Sequence, residues 1–214
     1  GLRYEHWNVD NGDNVNEFIP RVSLNYESPS GQLWYATAGR YFAMPSFFQM
    51  FYEDSWGSRL PHPNLKPEKG WTYDIGVKDA KAKHPWNIGL FYMDMKDKIN
   101  YYSDPITWVG GYQNVDEYRA WGVEAQVKFN MTEKWSYTQG LTWMDAEEKS
   151  SGADWVRSSQ PRWKATGFLN YKNGPWLGEL SLHYFGDRVL TNKSYDDEDI
   201  FTVNASVAWK QKSH

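Results

Sequence analysis

The sequence predicts an all-β fold, an antiparallel transmembrane β-barrel segment of about ten strands, on three observations. Apolar and polar residues alternate with period two along almost the whole chain, the pattern of a strand with one apolar and one polar face. Short turn-like connections alternate strictly with long polar ones, as tight periplasmic turns alternate with long extracellular loops. The chain of 214 residues also carries 13 Trp, 15 Tyr and 10 Phe. Of these, Trp71, Trp86, Trp121, Trp135, Trp143, Trp163 and Trp209 fall at strand ends on the apolar face. Amphipathic rings are favoured there if the ends lie at a membrane–water interface.

Strands are expected at 1–7 and 19–28, the latter closed by Ser28-Pro29-Ser30-Gly31, whose residues suit a hairpin turn into 32–42. The strand at 70–79 alternates Trp71, Tyr73, Ile75 and Val77 with Thr72, Asp74, Gly76 and Lys78. After 86–96, the strand at 112–130 alternates Trp121, Val123, Ala125, Val127 and Phe129 with Gly122, Glu124, Gln126 and Lys128. Asn130-Met131-Thr132-Glu133 turns the chain into 134–146, where Trp135, Tyr137, Leu141 and Trp143 share a face. In 161–172 Trp163, Ala165, Leu169 and Tyr171 do the same, and Lys172-Asn173-Gly174-Pro175 leads into 176–187. The strand at 199–210 alternates Phe201, Val203, Ala205, Val207 and Trp209 with polar or small residues. Long connections are expected near 8–18, 43–69, 97–111, 147–160 and 188–198.

Composition narrows the function classes. A net charge of -4 lacks the electrostatic attraction that nucleic-acid binding relies on, so no nucleic-acid partner is expected. Zero Cys removes disulfide scaffolds, thiolate metal sites and thiol catalysis. No apolar run approaches the ~20 residues of a spanning helix, and the first residues carry no leader pattern. A soluble carbohydrate-binding β-sandwich alternates equally well, with Trp and Tyr as sugar-stacking platforms. It offers no reason for tryptophans at strand ends.

Three pieces in order then carry a resemblance: Arg40-Tyr41-Phe42-Ala43-Met44-Pro45-Ser46, Pro63-Asn64-Leu65-Lys66-Pro67-Glu68-Lys69, and Tyr73-Asp74-Ile75-Gly76-Val77. With Tyr112-Gln113-Asn114, Gly122-Val123-Glu124 and Pro161-Arg162-Trp163-Lys164, they make the chain resemble the TonB-dependent outer-membrane receptor family over essentially its whole length. The resemblance implies an outer-membrane location in contact with lipid. It also implies import of a metal chelate, a ferric siderophore first and cobalamin or haem as alternatives, energised by the TonB complex. No enzyme activity, cofactor or resident metal is implied. Members resemble a 22-stranded barrel filled by an N-terminal plug, so residues 1–214 are expected to be a partial barrel domain, with plug and final strands absent.

Binding residues are expected on the long loops, where aromatic and cationic side chains suit flat, anionic chelates: Phe51, Tyr52, Trp56, Arg59, Tyr101, Tyr102, Trp108 and Arg157. The loop 46–62 is the longest and most aromatic. Pro63 and Pro67 fix φ and remove backbone donors, so their segment reads as a stiff lead-in and not as a site. His62 precedes them where the haem branch of the family usually has Asn, and 46–61 contain no His, which weighs against haem. The acidic run Asp196-Asp197-Glu198-Asp199 reads as a solvated loop before a Ca²⁺ site. His183 and Asp187, on one side of a strand, stand ~13 Å apart if extended, with no activated Ser or Cys beside them.

Overall fold

The computed structural model describes residues 1–9, 13–150, 152–189 and 199–210. Ten strands follow one another in a single antiparallel sheet, each hydrogen-bonded to the next: β1 (Leu2–Trp7), β2 (Val15–Glu27), β3 (Leu33–Ala43), β4 (Glu68–Asp79), β5 (Trp86–Ser103), β6 (Gly110–Asn130), β7 (Trp135–Lys149), β9 (Trp163–Asn173), β10 (Trp176–Gly186) and β11 (Ile200–Trp209). A two-residue strand, β8 (Val156–Arg157), pairs only with β7. The outer edges of β1 and β11 have no partner among the described residues, so the sheet is open.

The strand order and the short turns are as the sequence predicts, with β2 beginning at Val15 where residue 19 was expected and the 8–18 connection correspondingly shorter; three further features differ. A helical turn, α1 (Phe47–Phe51), lies in the first long loop, because Ser46 and Gln49 form a reciprocal capping box that satisfies its first amides. β8 was expected to be loop. The β5–β6 hairpin is the third, with β5 reaching Ser103 where the alternation pointed to an end near Lys96. Asp97 within β5 has a φ of 58°, and the register is the same on either side, Lys96↔Glu117 and Lys98↔Val115. The charged run Lys96-Asp97-Lys98 interrupts the apolar–polar alternation without ending the ladder, so the hairpin extends beyond the rest of the sheet.

Register assigns the faces, since residues paired across strands share one. Ala36, Ile75, Leu90, Val123, Trp143 and Trp163 form one row. Ile75 is 55% exposed and Leu90 54%. The alternate row runs Tyr35, Gly76, Gly89, Glu124, Thr142 and Lys164, polar and lumen-facing. Only six apolar residues are buried among those described: Ile19, Met50, Met95, Tyr118, Ala120 and Ala146. The apolar faces therefore have no protein to pack on, and hydrocarbon is the medium that suits them.

Two aromatic belts bound that band. In the upper one Trp71 stacks on Tyr73 at 6.3 Å and Tyr73 lies 6.2 Å from Tyr92. Trp121 meets Trp143 at 4.9 Å, and Trp143 meets Trp163 at 6.5 Å. The lower belt holds Trp86, Phe129, Trp135, Tyr171, Trp176 and Trp209, with Trp135 and Tyr171 4.6 Å apart. Above the upper belt the same face turns charged: Arg40, Asp94, Arg119 and Glu147 share the row of Trp71, and Lys69, Lys96, Glu117 and Lys149 the next.

Candidate functional site: the aromatic rim

The loop between β3 and β4 is built from its turns outward. Beyond α1, the Asp54 carboxylate accepts bonds from the Ser58 amide at 2.8 Å, the Ser58 hydroxyl and the Arg59 amide at 3.3 Å. The Ser58 hydroxyl above all holds that carboxyl below its ordinary range. The bend presents the next stretch to the raised β5–β6 hairpin as a short parallel addition, with Arg59 bridged to Gly110. The Gly110 amide donates to Ser58 O at 2.8 Å and the Leu60 amide to Gly110 O at 2.9 Å. A Cβ at Gly111 would stand 3.0 Å from the His62 ring, so glycine allows this close approach.

Arg59 is thereby delivered into a cage of four rings. Its guanidinium carbon lies 4.5 Å from the ring centre of Phe48, 4.9 Å from Tyr52, 4.9 Å from Tyr112 and 5.1 Å from Tyr101. The rings support one another, Phe48 stacked on Tyr52 at 4.6 Å and Tyr101 edge-on to Tyr112 at 5.4 Å. Beside the cage His62 donates its amide to Met50 O at 2.8 Å and sets its Nε2 3.3 Å from the Tyr102 hydroxyl.

The proline-rich segment is anchored to the same hairpin. Asn114 Oδ1 accepts the Lys66 amide at 2.9 Å, while its Nδ2 donates to Lys66 O at 2.9 Å and Asp97 O at 2.6 Å. Glu68 accepts the Ile99 amide at 2.8 Å and the Tyr41 hydroxyl at 3.2 Å. These motif residues clamp backbone, in keeping with the reading of the prolines as a stiff lead-in.

Of the eight residues singled out in the sequence, Tyr52, Arg59 and Tyr101 come together in the cage and Tyr102 sits against His62. Phe51 stacks on Phe47 at 6.2 Å along α1. Trp56 and Trp108, 89% and 76% exposed, project from the two stretches that the Arg59–Gly110 bridge holds side by side. Arg157 stands elsewhere on the rim, in β8, with its Nη1 2.7 Å from Asp187 Oδ1. Asp187 also lies 3.6 Å from Arg162, which pairs with Asp145 at 2.7 Å. Arg157 above all keeps the Asp187 carboxyl below its usual range. His183 instead meets Phe168 edge-on at 5.5 Å. Asp196, Asp197 and Glu198 lie outside the described residues.

Sequence reading missed Phe48 and Tyr112. Phe48 follows the first motif by two residues and Tyr112 belongs to the Tyr112-Gln113-Asn114 piece, and only the docking of loop on hairpin puts them around one cation. Both candidate arginines are engaged within the chain, Arg59 by ring faces that leave its charge unneutralised and Arg157 by the Asp187 carboxylate.

The description of the family model that matches residues 1–214 is "TonB dependent receptor-like, beta-barrel". Among curated relatives, the vitamin B12 transporter BtuB of Photobacterium profundum is 27% identical over 170 residues, 76% of this chain and 25% of that protein. BtuB of Vibrio vulnificus is 23% identical over 167 residues, 77% of this chain and 24% of that protein. The chain thus spans about a quarter of the length of these relatives. Among solved structures, the copper transporter OprC superposes with a TM-score of 0.68 at 19% identity, covering 94% of this chain and 33% of that one. The siderophore receptor PirA of Pseudomonas aeruginosa gives 0.65 at 15% identity, covering 92% and 37%. With its whole length matched by the family and its lipid-facing band in place, the chain belongs to the TonB-dependent receptor β-barrel family of the outer membrane.

Proposed function

We propose that this chain is part of an outer-membrane active-transport receptor that gathers a metal chelate on the aromatic rim and imports it with energy from the TonB complex. Residues 1–214 would form the later part of its barrel, completed by further strands and a plug. The observation that carries the reading is the union of two loops into one aromatic platform around Arg59, with Trp56 and Trp108, on the stretches that meet there, both open to solvent. Loops of this length in compact proteins are usually functional. A ferric siderophore is the first ligand class, supported by siderophore receptors among the structural neighbours. Cobalamin is the second reading, favoured by the names of the curated relatives and by the engagement of both rim arginines inside the protein.

Calorimetric titration of the complete receptor with a ferric catecholate and with cyanocobalamin separates the two. Replacing Tyr52 and Trp56 with Ala should weaken binding of the true ligand by roughly 1–3 kcal/mol in total, the scale of truncating a few aromatic contacts. A folded, heat-modifiable barrel with unchanged affinity for both chelates would sink the assignment of this rim.

A further inference from the structure

The lipid-facing side of β3 is shaped differently from its surroundings. Small residues sit between large ones in two successive rows, Val22–Ala38–Tyr73 and Leu24–Ala36–Ile75. The result is a trough of about 570 Å³ with apolar walls that crosses the sheet from β2 to β6 over Ala36 and Ala38, lined also by Leu90, Tyr92 and Trp121. Trp34, 49% exposed and flanked in its row by Tyr26 and Val77, closes the lower end. Above the trough on the same face stand the row of Arg40 and Trp71 and then the row of Phe42, Lys69 and Lys96. Arg40 is taken, bonded to Glu17 at 2.9 Å and 5.9 Å from the Trp71 ring centre. Lys69 has only a 4.0 Å contact with Glu17, and it stands directly opposite Lys96 in the β4–β5 ladder, with Glu117 next in the row. Like charges directly opposite destabilise a strand pair unless an anion lies between them.

We propose that this face holds a phosphorylated lipid, its phosphate between Lys69 and Lys96 and an acyl chain in the trough over Ala36 and Ala38. Tyr73, the highest residue of the trough on β4, stands two residue pairs below Lys69, ~13 Å, a span within the length of one phospholipid, so one amphiphile reaches both. The occupant is a lipid and not a soluble anion because the trough is continuous with the membrane-facing band, and the lysines stand one row above Trp71, at headgroup level. A phosphate monoester, carrying close to two charges at neutral pH, suits two ammonium groups better than a diester or a zwitterion.

The test uses the complete receptor in neutral detergent, with native mass spectrometry of phosphatidic acid and phosphatidylcholine of identical chains. Phosphatidic acid should be retained about 10-fold more strongly. Lys69→Gln combined with Lys96→Gln should abolish that preference while leaving phosphatidylcholine retention unchanged, and Ala38→Leu should lower retention of both lipids. Equal retention of the two lipids by the native protein, or a preference that survives the double substitution, would overturn the proposal. Displacement of phosphatidic acid by millimolar inorganic phosphate, with no effect of Ala38→Leu, would also overturn it, by showing an anion site without a lipid. Heat-modifiability of each variant establishes that its barrel is folded.

Discussion

Arg59 acts on its own chain before it meets any ligand. A guanidinium over an aromatic face contributes ~0.5–1 kcal/mol when exposed and ~2 when desolvated, and Arg59 has four such faces within 5.1 Å. Arg59→Ala should undock the loop while sparing the barrel. The expected result is faster hydrogen exchange and proteolysis across 44–67, with heat-modifiability unchanged. Loop protection equal to the native protein's would mean that the backbone bridge to Gly110 suffices alone. At Asn114, replacement by Ala removes its bonds to the Lys66 amide and carbonyl and to the Asp97 carbonyl, and because water reaches the Lys66 groups the cost is that of an ordinary hydrogen bond, about 0.5–1.5 kcal/mol. Equilibrium unfolding should register that loss, whereas Gln113→Ala, a change outside the clamp, should not.

At the scale of the strand, face decides cost. Lys at Ile75 or Val123 should destabilise by ~2–4 kcal/mol near the bilayer midplane and far less at Asp74 or Glu124 on the lumen side. Folding titrations in lipid vesicles measure this, and equal costs on the two faces would refute the register. Between β7, β8 and β10, the Arg157–Asp187–Arg162–Asp145 chain joins consecutive loops at the rim. The folded Asp187 pKa is lowered, so its contribution is complete above the unfolded carboxylate value of about pH 4 and is lost as pH falls through the lower native value. Asp187 is largely exposed, which keeps the effect small and salt-sensitive. Hydrogen exchange at 152–162 should therefore accelerate below about pH 4, and Asp187→Asn should show the fast exchange already at about pH 7. Exchange indifferent to both changes would mean that the ion pairs do not hold these loops.

For the whole molecule, six buried apolar residues against dozens of exposed ones leave no soluble core among the described residues. The protein should partition into membranes and require detergent. Stable monomeric solubility in plain buffer with cooperative unfolding would contradict this. The sheet is open at β1 and β11, and unpaired edges template association. Expressed alone in a receptor-deficient cell, the chain should fail to restore growth on any chelate, and it should form a heat-modifiable barrel only when the remaining strands are supplied. Energy-dependent uptake by the chain alone would show that ten principal strands suffice.

Period-two alternation by itself determined the strands, their faces, both aromatic belts and the order of turns and loops. Each follows from a one-dimensional rule, that neighbours along a strand point to opposite sides and that a slip of one residue would put every apolar side chain in water. The Pro-Asn-Leu-Lys-Pro-Glu motif was legible as family membership but not as a clamp, since its partner Asn114 lies on another hairpin. Tertiary structure decided the length of the β5–β6 hairpin and the assembly around Arg59, whereas the turn of helix at Phe47–Phe51 follows from the local Ser46–Gln49 box, which strand alternation does not carry. Loop conformation has no period to read. It depends on which distant backbone groups happen to face each other, and the meeting of Ser58 and Leu60 with Gly110 is what places Arg59 among four rings instead of in solvent.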